Sequence, residues 1–259
     1  MRVLIVIPAF DESRRLSPLF AEMQAQREAQ RVAGCLLNYL LVDDGSAPEE
    51  CRRMKVLVEE SGLGACVGFF SMNVNAGKGA AIQAGFKKGL EGGFDVLGFI
   101  DADGSVPIAD MHAALKYLLD PSRKALAGVI GSRIPLLGRS VRRGFIRHCA
   151  SRLFAFYAAM LFDAKAYDVQ CGLKIFRAEP LRRFMDVPMD KRWVWDTELL
   201  MSMLRAGEAL HEFPVNWKAV GGAKLSLIRD PIFMALQLLR FRFMLDARLR
   251  QHSGVEGKS

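Results

Sequence analysis

Val3-Leu4-Ile5-Val6-Ile7-Pro8-Ala9-Phe10-Asp11-Glu12 opens the chain with a continuous aliphatic run that ends at a proline and turns acidic. A run without polar alternation belongs to a strand buried on both faces, as in a parallel sheet. The pattern recurs downstream. Tyr39–Val42 stops at Asp43-Asp44-Gly45-Ser46, and Ala65–Phe70 leads to Asn75-Ala76-Gly77-Lys78-Gly79. Val96–Ile100 stops at Asp101-Ala102-Asp103, and Leu126–Ile130 runs into Gly131-Ser132-Arg133. Helical stretches lie between. Ser17-Pro18 reads as an N-cap and first-turn proline for a helix with Leu16, Leu19, Phe20 and Met23 on its apolar face. Ser46 and Glu49 have capping-box spacing, and further helices are expected over Ala80–Leu90 and from about Pro107 to Leu119. Strand–helix alternation through the first half predicts an α/β fold with a mostly parallel, doubly wound, Rossmann-like sheet.

The second half is less regular. It reads as a helix over Phe145–Phe162, a short strand at Leu173–Phe176, a helix after Asp196, a strand near Phe213–Trp217 and a terminal helix after Asp230. Ser253–Ser259 reads as a frayed tail.

At 259 residues, with 51% hydrophobic and 25% charged side chains, the chain suits one large globular domain rather than a disordered or fibrous one. Thirty-six basic against 28 acidic residues leave a net charge of +8, which favours a phosphate-bearing partner. No RNP, helix-turn-helix or zinc pattern accompanies that charge, so no nucleic-acid partner is expected. Five scattered cysteines without CxxC spacing give neither a complete disulfide framework nor a zinc site, which points to the cytosol. The N-terminal apolar run is too short for a secretory signal. The two best membrane-span candidates are interrupted, one by Arg147 and Arg152, the other by Arg240 and Arg242, so no spanning helix is expected.

Ligands of open α/β sheets bind at the carboxyl ends of the strands. Three such ends carry acids: Glu12, Asp43/Asp44 and Asp101/Asp103. Any one acid there could be a turn residue. Two carboxylates one residue apart, however, can share a divalent ion, and hard oxygen ligands suit Mg²⁺ or Mn²⁺ bridging to a diphosphate. The Asn75–Gly79 loop fits neither GxxxxGK[ST] nor GxGxxG and reads as a tight turn or as a loop lying close to a nucleotide. His112, His148, His211 and His252 are dispersed without ligand spacing.

Pro8-Ala9-Phe10-Asp11-Glu12, Val42-Asp43-Asp44-Gly45-Ser46, Asn75-Ala76-Gly77-Lys78-Gly79 and Asp101-Ala102-Asp103-Gly104 occur in the order seen in family-2 inverting glycosyltransferases. Asp168-Val169-Gln170-Cys171-Gly172-Leu173-Lys174, Trp195-Asp196-Thr197-Glu198-Leu199 and Val215-Asn216-Trp217 resemble the polyprenyl-phosphate branch, which includes dolichyl-phosphate glucosyltransferases and mannose synthases. The resemblance covers Val3 to about Leu225. It implies a GT-A domain over residues 1–225, with a nucleotide-sugar half to about residue 133 and an acceptor half over about 134–225.

By that resemblance, Pro8, Phe10, Glu12, Val42 and Asp44 form the nucleoside pocket, with Lys78 of the glycine loop placed beside them. Asp101, Ala102 and Asp103 hold the metal and diphosphate, and Arg133 and Lys224 reach phosphate. Arg133, Arg139, Ser140 and Arg142 receive the acceptor phosphate. Asp103, Arg133, Asp196 and Glu198 form the catalytic set, although Asp196 also reads as a helix N-cap. Arg143 and Arg147 read equally as solvated basic residues. Trp193 and Trp195 either border the acceptor cleft or pack in the core. Gly104-Ser105 after Asp103 favours UDP-glucose over GDP-mannose, and Gly222-Ala223-Lys224 lacks the serine common in relatives. The implied reaction is inverting hexosyl transfer to a polyprenyl phosphate. Two alternatives are transfer to a hydroxyl with Asp196 as base, and a non-catalytic nucleotide-sugar-binding protein. Nucleotidyltransferases usually carry a Gly-Gly-x-Gly segment where this chain has Pro8-Ala9-Phe10-Asp11.

The helix over 226–252 carries two apolar stripes: Ile232, Leu236, Leu239 and Phe243, and nearly opposite them Met234, Leu238, Phe241 and Leu245. One stripe suffices for packing. The second is expected to face lipid, with Arg240 and Arg242 reaching phosphates from between the stripes. The protein is thus expected to sit peripherally on the cytoplasmic membrane face, with homo-oligomerisation left open.

Overall fold

A computed structural model describes residues 1–26, 31–142, 145–164, 166–220 and 229–252. Lys224, Arg143 and the tail 253–259 lie outside them.

The strands of the first half are β1 (Arg2–Ala9), β2 (Arg31–Val32), β3 (Cys35–Asp43), β4 (Val67–Ser71), β5 (Val96–Ile100) and β6 (Gly128–Ser132). Between them run α1 (Ser13–Ala25), α2 (Pro48–Glu60), α3 (Lys78–Glu91) and α4 (Ile108–Leu119). The second half adds β7 (Val141–Arg142), α5 (Phe145–Phe162), β8 (Leu173–Arg177), α6 (Ala178–Phe184), α7 (Trp195–Arg205), β9 (Leu210–Pro214), β10 (Trp217–Lys218) and α8 (Arg229–His252).

The eight-stranded sheet runs β2-β3-β1-β5-β8-β6-β9, with β4 also pairing β3. β1, β3, β4 and β5 pair in parallel, as do β6 and β9. Strand side chains alternate between faces, and both faces of β1 are dry. Val3, Ile5 and Ile7 join the core beneath α1, α2 and α4, while Leu4 and Val6 join that beneath α3, α5 and α7. The result is the three-layer α/β arrangement expected of unbroken aliphatic strands.

β8 is the consequential departure from parallel order. It inserts antiparallel between β5 and β6, with Leu173 opposite Ile100. Its entering end therefore lies beside the carboxyl end of β5, and Cys171, Gly172 and Lys174 arrive at the edge that carries Asp101.

Several local expectations are corrected. α1 begins at Ser13, so Pro18 lies inside it. Pro18 is exposed, where the carbonyl deprived of its amide partner can be hydrated, and buried Leu16, Leu19 and Phe20 hold the helix in place. The Ser46/Glu49 capping box does not form, because α2 starts from Ala47 and Pro48. Ser46 Oγ instead accepts from Asp11 N at 2.9 Å, fixing a turn in which Asp11 has φ 51°. Asp196 is not an N-cap either; that place falls to Val194. The single strand expected near Phe213–Trp217 is two, β9 in the main sheet and β10 pairing β7.

The two stripes of α8 exist, but with their roles exchanged. Met234, Leu238, Phe241 and Leu245 are at most 5% exposed, whereas Ile232, Leu236 and Phe243 are 60%, 61% and 81% exposed. The buried stripe packs on α5, with the Phe162 and Phe241 rings 6.1 Å apart. Tyr157 Oη donates to the Ala235 carbonyl at 3.1 Å, and Arg242 Nε to that of Leu161 at 2.8 Å. No helix among the described residues is long and apolar enough to cross a membrane.

Candidate active site

The carboxyl ends of β1, β3 and β5 open onto one cleft of about 480 Å³. Pro8, Phe10, Glu12, Asp44, Asp101, Ala102 and Asp103 line it, together with Lys78. Val42, expected beside them, is fully buried in the core.

Asp44 organises one wall. Its carboxylate accepts from the amides of Ala76 at 2.8 Å and Gly77 at 2.9 Å, and from Asn75 Nδ2 at 3.1 Å. Burial raises its pKa above the ordinary aspartate value, with those two amides pulling the other way. Gly77 permits the turn: its φ is 106°, and a Cβ there would lie 2.5 Å from the Lys191 carbonyl oxygen. The next amides, Gly79 N and Ala80 N, donate to the carbonyls of Arg192 and Lys191 at 3.0 and 2.9 Å. The N-terminus of α3 is therefore occupied by protein carbonyls, and the Asn75–Gly79 loop works as a wall rather than as a phosphate cradle.

Asp101 and Asp103 form the floor. Asp103 Oδ1 accepts from Ser105 N at 2.9 Å. A Cβ on Gly172 would fall 2.3 Å from Asp101 Oδ2, so the glycine of Cys171-Gly172-Leu173 is what leaves room for that carboxylate. Lys78 Nζ lies 2.6 Å from Asp101 Oδ1, in a pair whose side chains are 25% and 31% exposed. Burial works against the charge on Lys78, but Asp101, Asp196 and Asp103 outweigh it and raise its pKa.

A second ion pair lies deeper. Lys174 Nζ donates to Asp196 Oδ2 at 2.6 Å and to the Cys171 carbonyl at 3.0 Å, with the lysine fully buried. Both ammonium groups face the buried Phe99 ring, at 5.6 Å for Lys78 and 5.4 Å for Lys174. Beyond it, Arg133 grips Asp168 in a fork, Nε to Oδ2 at 2.6 Å and Nη2 to Oδ1 at 2.7 Å. Glu212 holds that loop in turn, accepting from Asp168 N at 2.8 Å and Tyr167 N at 2.9 Å. Burial opposes the charge on Asp168, but Arg133 prevails and keeps its carboxyl below the usual range.

A doubly wound α/β sheet, two carboxylates two residues apart at one strand end and a wall beside them now stand together. A family model described as Glycosyl transferase family 2 matches residues 4–184, well over half of the chain. The chain belongs to glycosyltransferase family 2. As a family-2 member it is a glycosyltransferase. It is 29% identical over 255 residues to the human dolichyl-phosphate β-glucosyltransferase, covering 95% of this chain and 78% of that one. The protein of the same name from Dictyostelium discoideum is 25% identical over 243 residues, covering 92% and 73%. Among solved structures, glucosyl-3-phosphoglycerate synthase from Mycobacterium tuberculosis, in complex with Mn²⁺, UDP and phosphoglyceric acid, superposes with a TM-score of 0.61 at 17% identity, covering 99% of this chain and 80% of that one. Mannosyl-3-phosphoglycerate synthase from Rubrobacter xylanophilus gives 0.63 at 17% identity, covering 100% and 77%. These two establish the GT-A fold.

The β7 and β10 ribbon of this glycosyltransferase is latched onto the floor of the cleft. Trp217 N donates to the Ser140 carbonyl at 2.8 Å, and Lys218 N to the Ser105 carbonyl at 3.0 Å. β7, with exposed Arg142, thereby reaches the turn that follows Asp103. Arg139 is held by Asp110 Oδ1 at 3.0 Å, and Ser140 N by Asn216 Oδ1 at 2.8 Å.

Four of the expected site residues are engaged by protein partners rather than turned freely into the cleft. Arg133 does not line the cleft: its fork is closed on Asp168. Arg139 is likewise closed on Asp110. Asp196 stands behind Lys78, in its pair with Lys174. Glu198 faces away altogether: its Oε2 accepts from Met189 N at 2.6 Å and Asp190 N at 2.8 Å, and burial pushes its pKa up to about 7. It thus braces the segment that carries Arg192 and Trp193 into the cleft. Trp195 is buried core, whereas Trp193 lines the cleft at the strand ends. Lys174 was readable as a lone charge within the apolar run Leu173–Phe176. Arg192 carries no local signal, since only the tertiary path of residues 189–194 brings it to the strand ends.

Proposed function

We propose that the protein transfers glucose, with inversion, from UDP-glucose to a polyprenyl phosphate while resting peripherally on the cytoplasmic face of a membrane. The observation that carries this reading is the latch of β7 and β10 onto the Asp103–Ser105 turn, which sets a basic acceptor strand against the acidic floor of the donor cleft. The relatives named for dolichyl-phosphate glucosylation support the same substrates.

Phe10 offers the nucleoside a flat wall, and Asp44 fixes the opposite one. Asp101 and Asp103 suit Mg²⁺ or Mn²⁺. The glycine-shaped space for Asp101, and a lysine ammonium already against its oxygen, are the marks of a cation site. When bound there, the ion supplies positive charge that steadies the leaving diphosphate. A phosphate acceptor is already ionised at neutral pH and needs no base. One of its oxygens bonds to the anomeric carbon from the face opposite UDP, and the carbon–oxygen bond to UDP breaks with its electron pair leaving on UDP. Arg142 and Lys218 flank the acceptor side, while the Arg133–Asp168–Glu212 chain fixes the backbone between floor and acceptor loop. Transfer to a neutral hydroxyl with Asp196 as base is disfavoured, because Lys174 already holds that carboxylate.

An apolar face supports the membrane placement. α5 exposes Leu153, Phe156 and Met160, α8 exposes Leu236 and Phe243, and Leu137 stands fully out on the loop between β6 and β7.

The deciding experiment incubates purified protein with UDP-glucose or GDP-mannose, Mg²⁺ or Mn²⁺, and short-chain polyprenyl phosphates. UDP release coupled to formation of a glucosyl phospholipid is expected. Asp103→Asn should lower turnover by about 10²–10³-fold with the fold intact. Transfer to polyprenols but not to their phosphates overturns the acceptor, and full turnover in EDTA overturns the metal.

A further inference from the structure

We infer that Lys78 is a built-in counter-ion for Asp101, which a divalent cation must displace and which then passes to the donor diphosphate. The inference rests on the reading of Asp101 and Asp103 as the cation site.

Lys78 is the first residue of α3, where the helix dipole disfavours a cation. The placement is tolerable because Asp101 touches its ammonium and the charges of Asp103 and Asp196 add to the stabilisation. Only Asp101 is in contact, at 2.6 Å. Asp196 is already engaged by Lys174, and Asp103 accepts from Ser105 N.

The Lys78 and Asp101 side chains are 25% and 31% exposed and line the cleft, but Asp101 Oδ1 itself is covered, so Lys78 must move aside before water or an ion reaches that oxygen. A divalent ion on either oxygen of Asp101 would stand close to the Lys78 ammonium and repel it strongly. Cation binding without the donor therefore favours withdrawal of Lys78, and withdrawal leaves its charge poorly compensated. A diphosphate arriving with the cation gives the ammonium a new partner within the same cleft. Cation and nucleotide should thus bind with positive coupling, part of which passes through Lys78.

The test is Mn²⁺ binding to donor-free protein, followed by the electron paramagnetic resonance signal of free Mn²⁺, with and without UDP. Wild type, Lys78→Met, Lys78→Arg and Asp103→Asn are compared, each checked for fold by circular dichroism. Lys78→Met should bind Mn²⁺ about tenfold more tightly than wild type without UDP, and UDP should tighten it less than it tightens wild type. Lys78→Arg, which keeps the charge, should remain near wild type. If Asp103→Asn weakens Mn²⁺ while Lys78→Met binds it no better than wild type, the counter-ion role is overturned and the cation site stands. If Asp103→Asn binds Mn²⁺ as wild type does, the cation site itself is wrong and the inference falls with it.

Discussion

Two lysine–aspartate pairs meet at the Phe99 ring, with the same 2.6 Å separation. Lys78–Asp101 borders the cleft, with its side chains 25% and 31% exposed. Lys174–Asp196 is sealed, with the lysine at 0% and the aspartate side chain at 12% exposure. Equal geometry does not mean equal work. An accessible pair contributes little to stability because solvent competes for both charges, which is what makes it exchangeable. A sealed pair cannot exchange, and removing one partner strands the other charge in a medium that cannot solvate it. One pair belongs to the chemistry of the cleft and the other to its foundation.

The largest effect expected from this contrast is on the sealed pair. Lys174→Met should destabilise the protein by about 3–5 kcal/mol in urea unfolding, because Asp196 loses its counter-charge. Lys174→Met combined with Asp196→Leu should recover much of that loss. Lys78→Met should change stability by less than about 1 kcal/mol. Equal losses from the two single variants would erase the distinction.

Glu198 sharpens the comparison, being a sealed acid braced by backbone amides rather than by a lysine. Burial is the main cause of its pKa of about 7, against 4.5 for the free side chain. Asp190 adds to the rise, and Arg248 of α8 with the amides of Met189 and Asp190 opposes it. Lys191 also faces it. The folded state therefore binds this proton more tightly than the unfolded chain does. The resulting stabilisation is complete below about pH 4.5 and is lost as pH rises through about 7. Glu198→Gln keeps an oxygen for both amides and removes the proton. Across that window wild type should lose on the order of 2–3 kcal/mol relative to the variant. Parallel stability–pH curves for the two proteins would show that Glu198 does not titrate there.

These pairs also mark where the sequence was legible. The aliphatic strands and the acids at their ends were readable because burial on both faces leaves no polar alternation and because ligands gather at carboxyl ends. Asp101 and Asp103 follow directly from that logic. Asp196 and Glu198 do not. They are two residues apart on a helix, so they point roughly 200° from each other; one meets Lys174 and the other the 189–190 backbone. A local motif cannot say which of them faces a cleft. Arg133 was visible as a cation, but Asp168, which claims it, is 35 positions away. The strand at Leu173–Phe176 was visible too, but its direction was not, and that direction is what brings Gly172 and Lys174 to the floor.

The smallest effect on stability is expected on the outer face of α8, where the open-or-sealed contrast recurs in apolar form. Helical spacing revealed two stripes but not which one α5 would cover. Phe241 and Leu245 are fully buried, so glutamates there would place charges in the core and unfold the protein. Leu236 and Phe243 stand in solvent, as do Leu153, Phe156 and Met160 of neighbouring α5, and Leu236→Glu with Phe243→Glu should change stability by less than about 0.5 kcal/mol. A peripheral contact combines apolar insertion with attraction to anionic headgroups. Wild type should therefore co-sediment with vesicles containing an anionic lipid, less so as salt rises, and the double variant should stay in the supernatant while retaining its melting temperature. Equal sedimentation of the two proteins would assign the exposed stripe to something other than lipid and would remove the membrane surface from the proposed reaction.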